Sequence, residues 1–274
     1  MKLDYKKTNI NLKNKKCKII LFSDIHFNKY FNLKKFKLLE DSIDSDTNYI
    51  MIPGDFIDST NIIRDKKINE FIKFIENISK KATTIISLGN HDYTLKRKFK
   101  FLEEYNNDFY DKISSIKNVF LLKNNEIYDD NIVHVKALDP GFKYYYNEKE
   151  KNIDTFINNI KKENLNKNKI NIILSHTPVN ITNKNVLNLI KDYDLILSGH
   201  MHNGLLIPFV DKMIKNNKGL IAPNKRLFCN NARGIIKLGN KYLIISSGVT
   251  KIPSINFLDN IFLIGINEIS IKNN

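Results

Sequence analysis

The segment Ile85-Ile86-Ser87-Leu88-Gly89-Asn90-His91-Asp92 joins an aliphatic run to a glycine and three polar residues. A short apolar run bounded by a turn signal reads as a strand buried on both faces, and such strands belong to parallel sheets covered by helices. The polar residues after Gly89 then fall at the strand's carboxyl end, where open α/β sheets carry their functional loops. Taken alone the tetrapeptide also describes an ordinary turn, so its meaning depends on its neighbours.

Upstream, the same unit recurs. Lys18 to Phe22 is aliphatic and ends in Ser23-Asp24-Ile25-His26, and Tyr49 to Ile52 ends in Pro53-Gly54-Asp55-Phe56-Ile57-Asp58. If the backbone stays extended there, Asp24 and His26 point the same way. Between these strands, Leu33, Phe36, Leu39 and Ile43, and then Ile68, Phe71, Ile72 and Ile75, have helical spacing. Repeated strand, polar turn and helix predict βαβ units and a largely parallel sheet.

Downstream, residues 97 to 117 read as a helix through Phe101, Leu102, Tyr105 and Phe109, followed by short strands at Val119 to Leu122 and Ile132 to Ala137. Ile153, Phe156, Ile157 and Ile160 mark another helix. Ile170 to Leu174 is a strong strand ending in Ser175-His176, and after a helix near Val186 to Ile190 the strand Leu195 to Leu197 ends in Ser198-Gly199-His200-Met201-His202. Gly234 to Leu238 and Tyr242 to Ser246 flank a two-residue turn, Gly239-Asn240, and Ile261 to Ile266 is a last strand. No internal repeat and no long linker interrupts the chain, so residues 1 to 274 are expected to form one α/β domain of two mixed sheets with helices outside. Residues 203 to 233 read as a long loop near the strand ends.

The strand ends together carry Asp24, His26, Asp55, Asp58, Asn90, His91, His176, His200 and His202. Of the 6 histidines, five lie at these termini and only His134 lies elsewhere. A single histidine at a strand end is usually a satisfied polar residue; five coincidences are poorly explained that way. Carboxylates, imidazoles and one amide, without sulfur, form a ligand set suited to Mn²⁺, Fe or Zn²⁺. They exceed the needs of one ion, whereas two ions about 3.5–4 Å apart sharing a carboxylate would use them all.

In order, Asp24-x-His26, Gly54-Asp55-x-x-Asp58, Gly89-Asn90-His91-Asp92, His176 and Gly199-His200-x-His202 resemble the five-block signature of the calcineurin-like metallophosphoesterase superfamily. The tail, including Gly234-Ile235-Ile236-Lys237 and Ser246-Ser247-Gly248, is similar to a bacterial branch of predicted phosphohydrolases akin to UDP-diacylglucosamine hydrolases. The resemblance implies a four-layer αββα sandwich. It implies two divalent metal ions, Mn²⁺ first with Fe or Zn²⁺ as alternatives: Asp24, His26 and His202 on one, Asn90, His176 and His200 on the other, and Asp55 bridging. It also implies in-line attack on phosphorus by a hydroxide held by the metals, with His91 stabilising or protonating the leaving oxygen and Asp58 orienting His91. An N-cap role for Asp58 in the segment after Ser59 is the structural alternative. Protein phosphatases of the superfamily follow the second aspartate with a phosphate-gripping arginine, whereas here Ser59-Thr60 follow Asp58. That departure favours a phosphodiester or pyrophosphate over a phosphoprotein. A nuclease, a cyclic-nucleotide phosphodiesterase and a non-catalytic scaffold of the same fold are the competing readings.

Composition sets the outer bounds. The 274 residues are 42% hydrophobic and 27% charged, which suits a globular chain. A formal charge of +15 attracts anions generally: phosphorylated small molecules, lipid-linked substrates, nucleic acid or an anionic membrane surface. No nucleic-acid module is recognisable. Cys17 and Cys229 stand far apart, which speaks against a thiolate zinc site. No secretory signal or run of ~20 apolar residues is visible, so a cytoplasmic location is expected. Tyr144 to Tyr146 and the loop from Leu205 to Phe209 are candidates for apolar substrate contact.

Overall fold

The computed structural model describes residues 1–12, 15–58, 65–93, 108–123, 125–141, 163–205, 214, 217–221, 227, 229–252 and 262–273. Its twelve described strands are β1 (Leu3–Asn11), β2 (Cys17–Leu21), β3 (Tyr49–Pro53), β4 (Thr83–Ser87), β5 (Val119–Leu122), β6 (Ile127–Asp129), β7 (Val133–Ala137), β8 (Ile170–Ser175), β9 (Leu195–Ser198), β10 (Gly234–Leu238), β11 (Lys241–Ile245) and β12 (Ile264–Lys272). The described helices are α1 (Lys34–Asp41), α2 (Asp65–Ser79), the single turn α3 (Asn90–Tyr93), α4 (described over 108–114) and α5 (Lys184–Leu189).

The strands form two six-stranded sheets, ordered β1-β12-β2-β3-β4-β5 and β10-β11-β9-β8-β7-β6. Both are mixed. Strands β2 to β5 are mutually parallel in the first sheet, as are β11, β9, β8 and β7 in the second, and antiparallel partners flank these blocks. The central parallel strands are buried throughout: every residue of Tyr49-Ile50-Met51-Ile52-Pro53 and of Ile170-Asn171-Ile172-Ile173-Leu174-Ser175 is buried. That is the continuous burial expected of strands covered on both faces.

Three cores define four layers. Helices α1 and α2 and the segment containing Phe109 and Ile113 pack on the first sheet, burying Phe36, Leu39, Phe71, Phe74 and Ile75. Met51, Ile85, Ile172 and Leu197 meet between the sheets. Val186 and Ile190 cover the outer face of the second sheet against Ile173, Ile196 and Leu243. Each fully buried side chain of this kind contributes about 1.5–3 kcal/mol. α5 starts where Asn183 accepts the amides of Asn185 and Val186 at 2.8 and 3.3 Å, satisfying donors the helix leaves open.

Several elements depart from the sequence reading. Strand β12 runs to Lys272, past the expected end at Ile266, because its polar centre is satisfied: Glu268 accepts Tyr5 Oη at 2.7 Å and lies 3.5 Å from both Lys7 and Lys18. Strand β1, not foreseen, is an edge strand carrying Lys6 and Lys7, a composition that hides its pattern and protects an open sheet edge. The short edge strand β6 was also not foreseen. Of the helix expected over 97–117, residues 97–107 lie outside the described residues; the described part runs over 108–114, with 115–118 in a turn. The hairpin at Gly239-Asn240 forms as expected, with Gly239 at φ +63° in the left-handed position that a glycine-first loop uses. The helix marked by Ile153 to Ile160, Tyr144 to Tyr146 and residues 206–213 lie outside the described residues. No helix among the described residues is long and apolar enough to cross a membrane.

Candidate metal centre

Because β2, β3 and β4 run parallel, as do β8, β9 and β11, each trio delivers its following loops to one end of its sheet. The loops after β2 and β3 keep pairing beyond the strands: Asp24 N donates to Gly54 O at 3.2 Å, His26 N to Asp55 O at 2.9 Å, Phe27 N to Phe56 O at 3.0 Å and Asp58 N to Phe27 O at 3.0 Å. Phe27 and Phe56, both fully buried beside them, anchor the two loops in the aromatic core.

The backbone is not extended here, which corrects the expectation for Asp24 and His26. Asp24, His26, Asp55, His200 and His202 all have φ between +46° and +70°. A left-handed non-glycine residue costs of order 1–3 kcal/mol and persists where its surroundings impose it, typically at functional sites. Two glycines explain how the loops close. A Cβ on Gly54 would lie 2.6 Å from Gly89 N, and one on Gly89 would lie 2.3 Å from Asp55 Oδ1.

Every side chain anticipated as a ligand converges on Asp55. Asp55 Oδ2 lies 3.6 Å from His26 Nε2 and 3.2 Å from His176 Nε2. On one side, His26 Nε2 is 3.3 Å from His202 Nε2, which is 3.8 Å from Asp24 Oδ1. On the other, His176 Nε2 is 3.0 Å from Asn90 Oδ1 and 3.1 Å from His200 Nδ1. Asp24, His26 and His202 form one cluster able to hold a cation, and Asp55, His176 and His200 form another.

The rings fit that task. His176 Nδ1 donates to Pro53 O at 2.9 Å and His202 Nδ1 to Thr250 O at 2.7 Å, so in the neutral tautomer each turns an Nε2 lone pair into the cluster. Burial holds the imidazoles of His26 and His202 below the ordinary histidine range, and burial with the neighbouring His176 brings His200 to about 3. Metal-ligating imidazoles must be neutral. Burial also opposes charge on His176, but the Asp55 carboxylate beside it raises it to about 9. Burial disfavours the Asp55 anion too, yet His176, His91 and His26 hold it well below the usual carboxylate range. Lone pairs crowded around two carboxylates suit a cation held between them, and the two Asp/His clusters side by side fit a pair of divalent ions.

His91 and Asp58 come together as expected, with His91 Nδ1 at 3.4 Å from Asp58 Oδ1. Burial disfavours the His91 imidazolium, but Asp55 and Asp58 outweigh it and raise its pKa. The alternative N-cap role of Asp58 concerns the segment from Ser59, which lies outside the described residues. Asp92 is a buried three-way tie: its carboxylate accepts Asp55 N at 2.7 Å, Gly89 N at 2.7 Å and Ile57 N at 3.0 Å. Tyr110 Oη donates to Asp92 O at 2.6 Å and fixes the same turn from below. His134 stands apart on β7, at 3.0 Å from Asp129 and 3.2 Å from Glu163.

The sequence reading missed two supports. Thr250 holds His202 through its carbonyl and donates its own amide to Asp24 O at 2.9 Å. Asn28 reaches Asp58 at 3.1 Å. Asn28 could have been suspected from its place two residues after His26; nothing around Thr250 signalled its role.

The chain is 26% identical over 248 residues to an uncharacterized metallophosphoesterase of Campylobacter jejuni, covering 87% of this chain and 54% of the relative. It is 27% identical over 199 residues to one of Helicobacter pylori, covering 72% of this chain and 47% of the relative. The chain thus spans about half the length of the curated relatives it matches. Among solved structures, it aligns with a dimetal phosphatase from Danio rerio at 12% identity and a TM-score of 0.45, covering 87% of this chain and 90% of that one. The family model described as calcineurin-like phosphoesterase matches residues 17–204, more than half of the sequence, and the chain belongs to that family.

Proposed function

We propose that this site hydrolyses phosphodiesters or pyrophosphates with two divalent cations, Mn²⁺ in the first place. The observation that carries the reading is the position of Asp55 Oδ2, within 3.6 Å of imidazole nitrogens on both sides. In the proposal Asp24, His26 and His202 hold one cation, Asn90, His176 and His200 the other, and Asp55 stands between them. Bound there, the cations would supply Lewis-acid charge at the phosphoryl group and lower the pKa of water.

The rest of the work falls to the chain. The ring hydrogen bonds to Pro53 O and Thr250 O fix the faces of His176 and His202 before any substrate arrives, so reorganisation during the reaction is small. In the proposal His91, whose side chain is partly open to solvent, holds a proton at the leaving oxygen, and Asp58, with Oδ1 3.4 Å from Nδ1, orients the ring. A phosphodiester or pyrophosphate suits the site because Ser59-Thr60 replace a phosphate-gripping arginine after Asp58. The net charge of +15 would draw phosphorylated or lipid-linked substrates, or bring the protein to an anionic membrane surface.

The test is a Mn²⁺-supplemented screen of phosphomonoesters, phosphodiesters, cyclic nucleotides, nucleic acids and UDP-linked lipids. Turnover of diesters or pyrophosphates above monoesters supports the reading. A preference for nucleic acid or cyclic nucleotides would move the substrate class, and inactivity with Mn²⁺, Fe²⁺ and Zn²⁺ would favour a scaffold.

A further inference from the structure

Behind the His91 and Asp58 pair lies a third residue with the marks of a positioning group. Asn28 is 1% exposed, in the loop that also carries Asp24 and His26. Its Nδ2 donates to Asp58 Oδ2 at 3.1 Å, while Asp58 Oδ1 faces His91 Nδ1 at 3.4 Å. The amide cannot be reversed: its Oδ1 accepts Tyr30 N at 2.8 Å, and a flip would set two donors together at Tyr30 and two acceptors together at Asp58. The loop is itself fixed, since Asp58 N donates to Phe27 O at 3.0 Å and Lys67 Nζ on α2 donates to the carbonyls of Asn28, Lys29 and Phe31.

We propose that Asn28 is a positioning residue that holds the Asp58 carboxylate in the rotamer that meets His91, and so fixes the His91 ring toward the leaving oxygen. The inference rests on the role given to His91 above. A buried carboxylate that lost this donor would turn toward other donors, and a ring left without its partner loses its single orientation. A group acting through His91 has a signature that general support of the fold lacks. Its effect grows as the leaving group becomes more basic and more dependent on proton donation, and it vanishes once His91 is gone.

The experiment compares wild type, Asn28→Ala, His91→Ala and the double variant, loaded with Mn²⁺, on two phosphodiesters that release phenolate or p-nitrophenolate. Asn28→Ala is expected to lower kcat about tenfold for phenolate release and less than about threefold for p-nitrophenolate, with KM unchanged. The double variant is expected to be no slower than His91→Ala. Equal losses on both esters, or losses that multiply with those of His91→Ala, would overturn the proposal. Asn28→Ser, too short to reach Asp58 yet still polar, removes the same donor and carries the same test should Asn28→Ala fail to fold. Metal-free protein gives a separate reading, a slowly exchanging His91 Nδ1 proton resonance in wild type that is lost in Asn28→Ala. Its persistence in the variant sinks the contact whatever the activity. Its loss in a protein whose wild type cleaves neither ester upholds the contact and removes only the phosphoesterase reading.

Discussion

The Asp55 carboxylate lies 3.2 Å from the Nε2 of His176, and the same oxygen lies 3.6 Å from His26. These three residues come from loops after three different strands, two in one sheet and one in the other. Replacing Asp55 therefore tests whether the two halves of the cluster act as one centre. Asp55→Asn is expected to lower metal content at both positions and to reduce kcat by at least about 10³-fold, measured by elemental analysis and diester hydrolysis. Loss of one ion with the other retained at full occupancy would show two independent sites.

His91 is expected to behave differently. His91→Ala should cut kcat by about 10²–10⁴-fold while metal content stays that of wild type. Asp58→Asn should give a smaller loss of the same kind. A fall in metal content parallel to the fall in activity would make His91 a ligand instead.

Asp92 separates structure from chemistry. Its carboxylate serves three backbone amides in the loops that carry Asp55 and Asn90. Asp92→Ala leaves those buried donors unmatched and should destabilise the fold by about 3 kcal/mol in urea unfolding. An unfolding midpoint unchanged from wild type would contradict the tie.

Asp130 gives the pH test, at the end of the sheets opposite the site. Its carboxylate accepts Tyr49 Oη at 2.6 Å from the first sheet, Tyr128 Oη at 2.8 Å from the second, and the amides of Ile132 and Val133 at 2.8 Å each. Partial burial raises its pKa, but these donors outweigh burial and leave it below the ordinary aspartate value. A depressed acid contributes stability that is fully present above its unfolded pKa near ~4 and is lost as pH falls through the lower folded value. Asp130→Asn should flatten the acid limb of the stability curve and cost about 1–3 kcal/mol at pH 7. An acid limb identical to wild type would remove Asp130 from the account.

His134 is the internal control. It is paired with Asp129 and Glu163 and takes no part in the cluster, so His134→Ala should keep metal content and turnover within about twofold of wild type, with a stability change below about 1 kcal/mol.

Much of this was legible in the residues. The buried parallel strands announced themselves as aliphatic runs, and the polar residues ending them marked the site because parallel strands must deliver their loops to one end. What stayed hidden has physical reasons. Strand β1 mixes lysines with apolar residues because it is an edge, and β12 buries Asn267 and Glu268, which broke the apolar run. The left-handed turns at Asp24 and His26 follow from contacts between loops far apart in sequence, which no local pattern records. Asn28 supports the site by one side-chain hydrogen bond to Asp58, and Thr250 by its backbone carbonyl and amide, groups that almost any residue possesses.

The most direct measurement is the Mn²⁺ dependence of bis-p-nitrophenyl phosphate hydrolysis after chelator treatment, followed together with bound metal. The account predicts no turnover without metal and a return of activity that saturates at two ions per chain. Full activity in metal-free protein would contradict it.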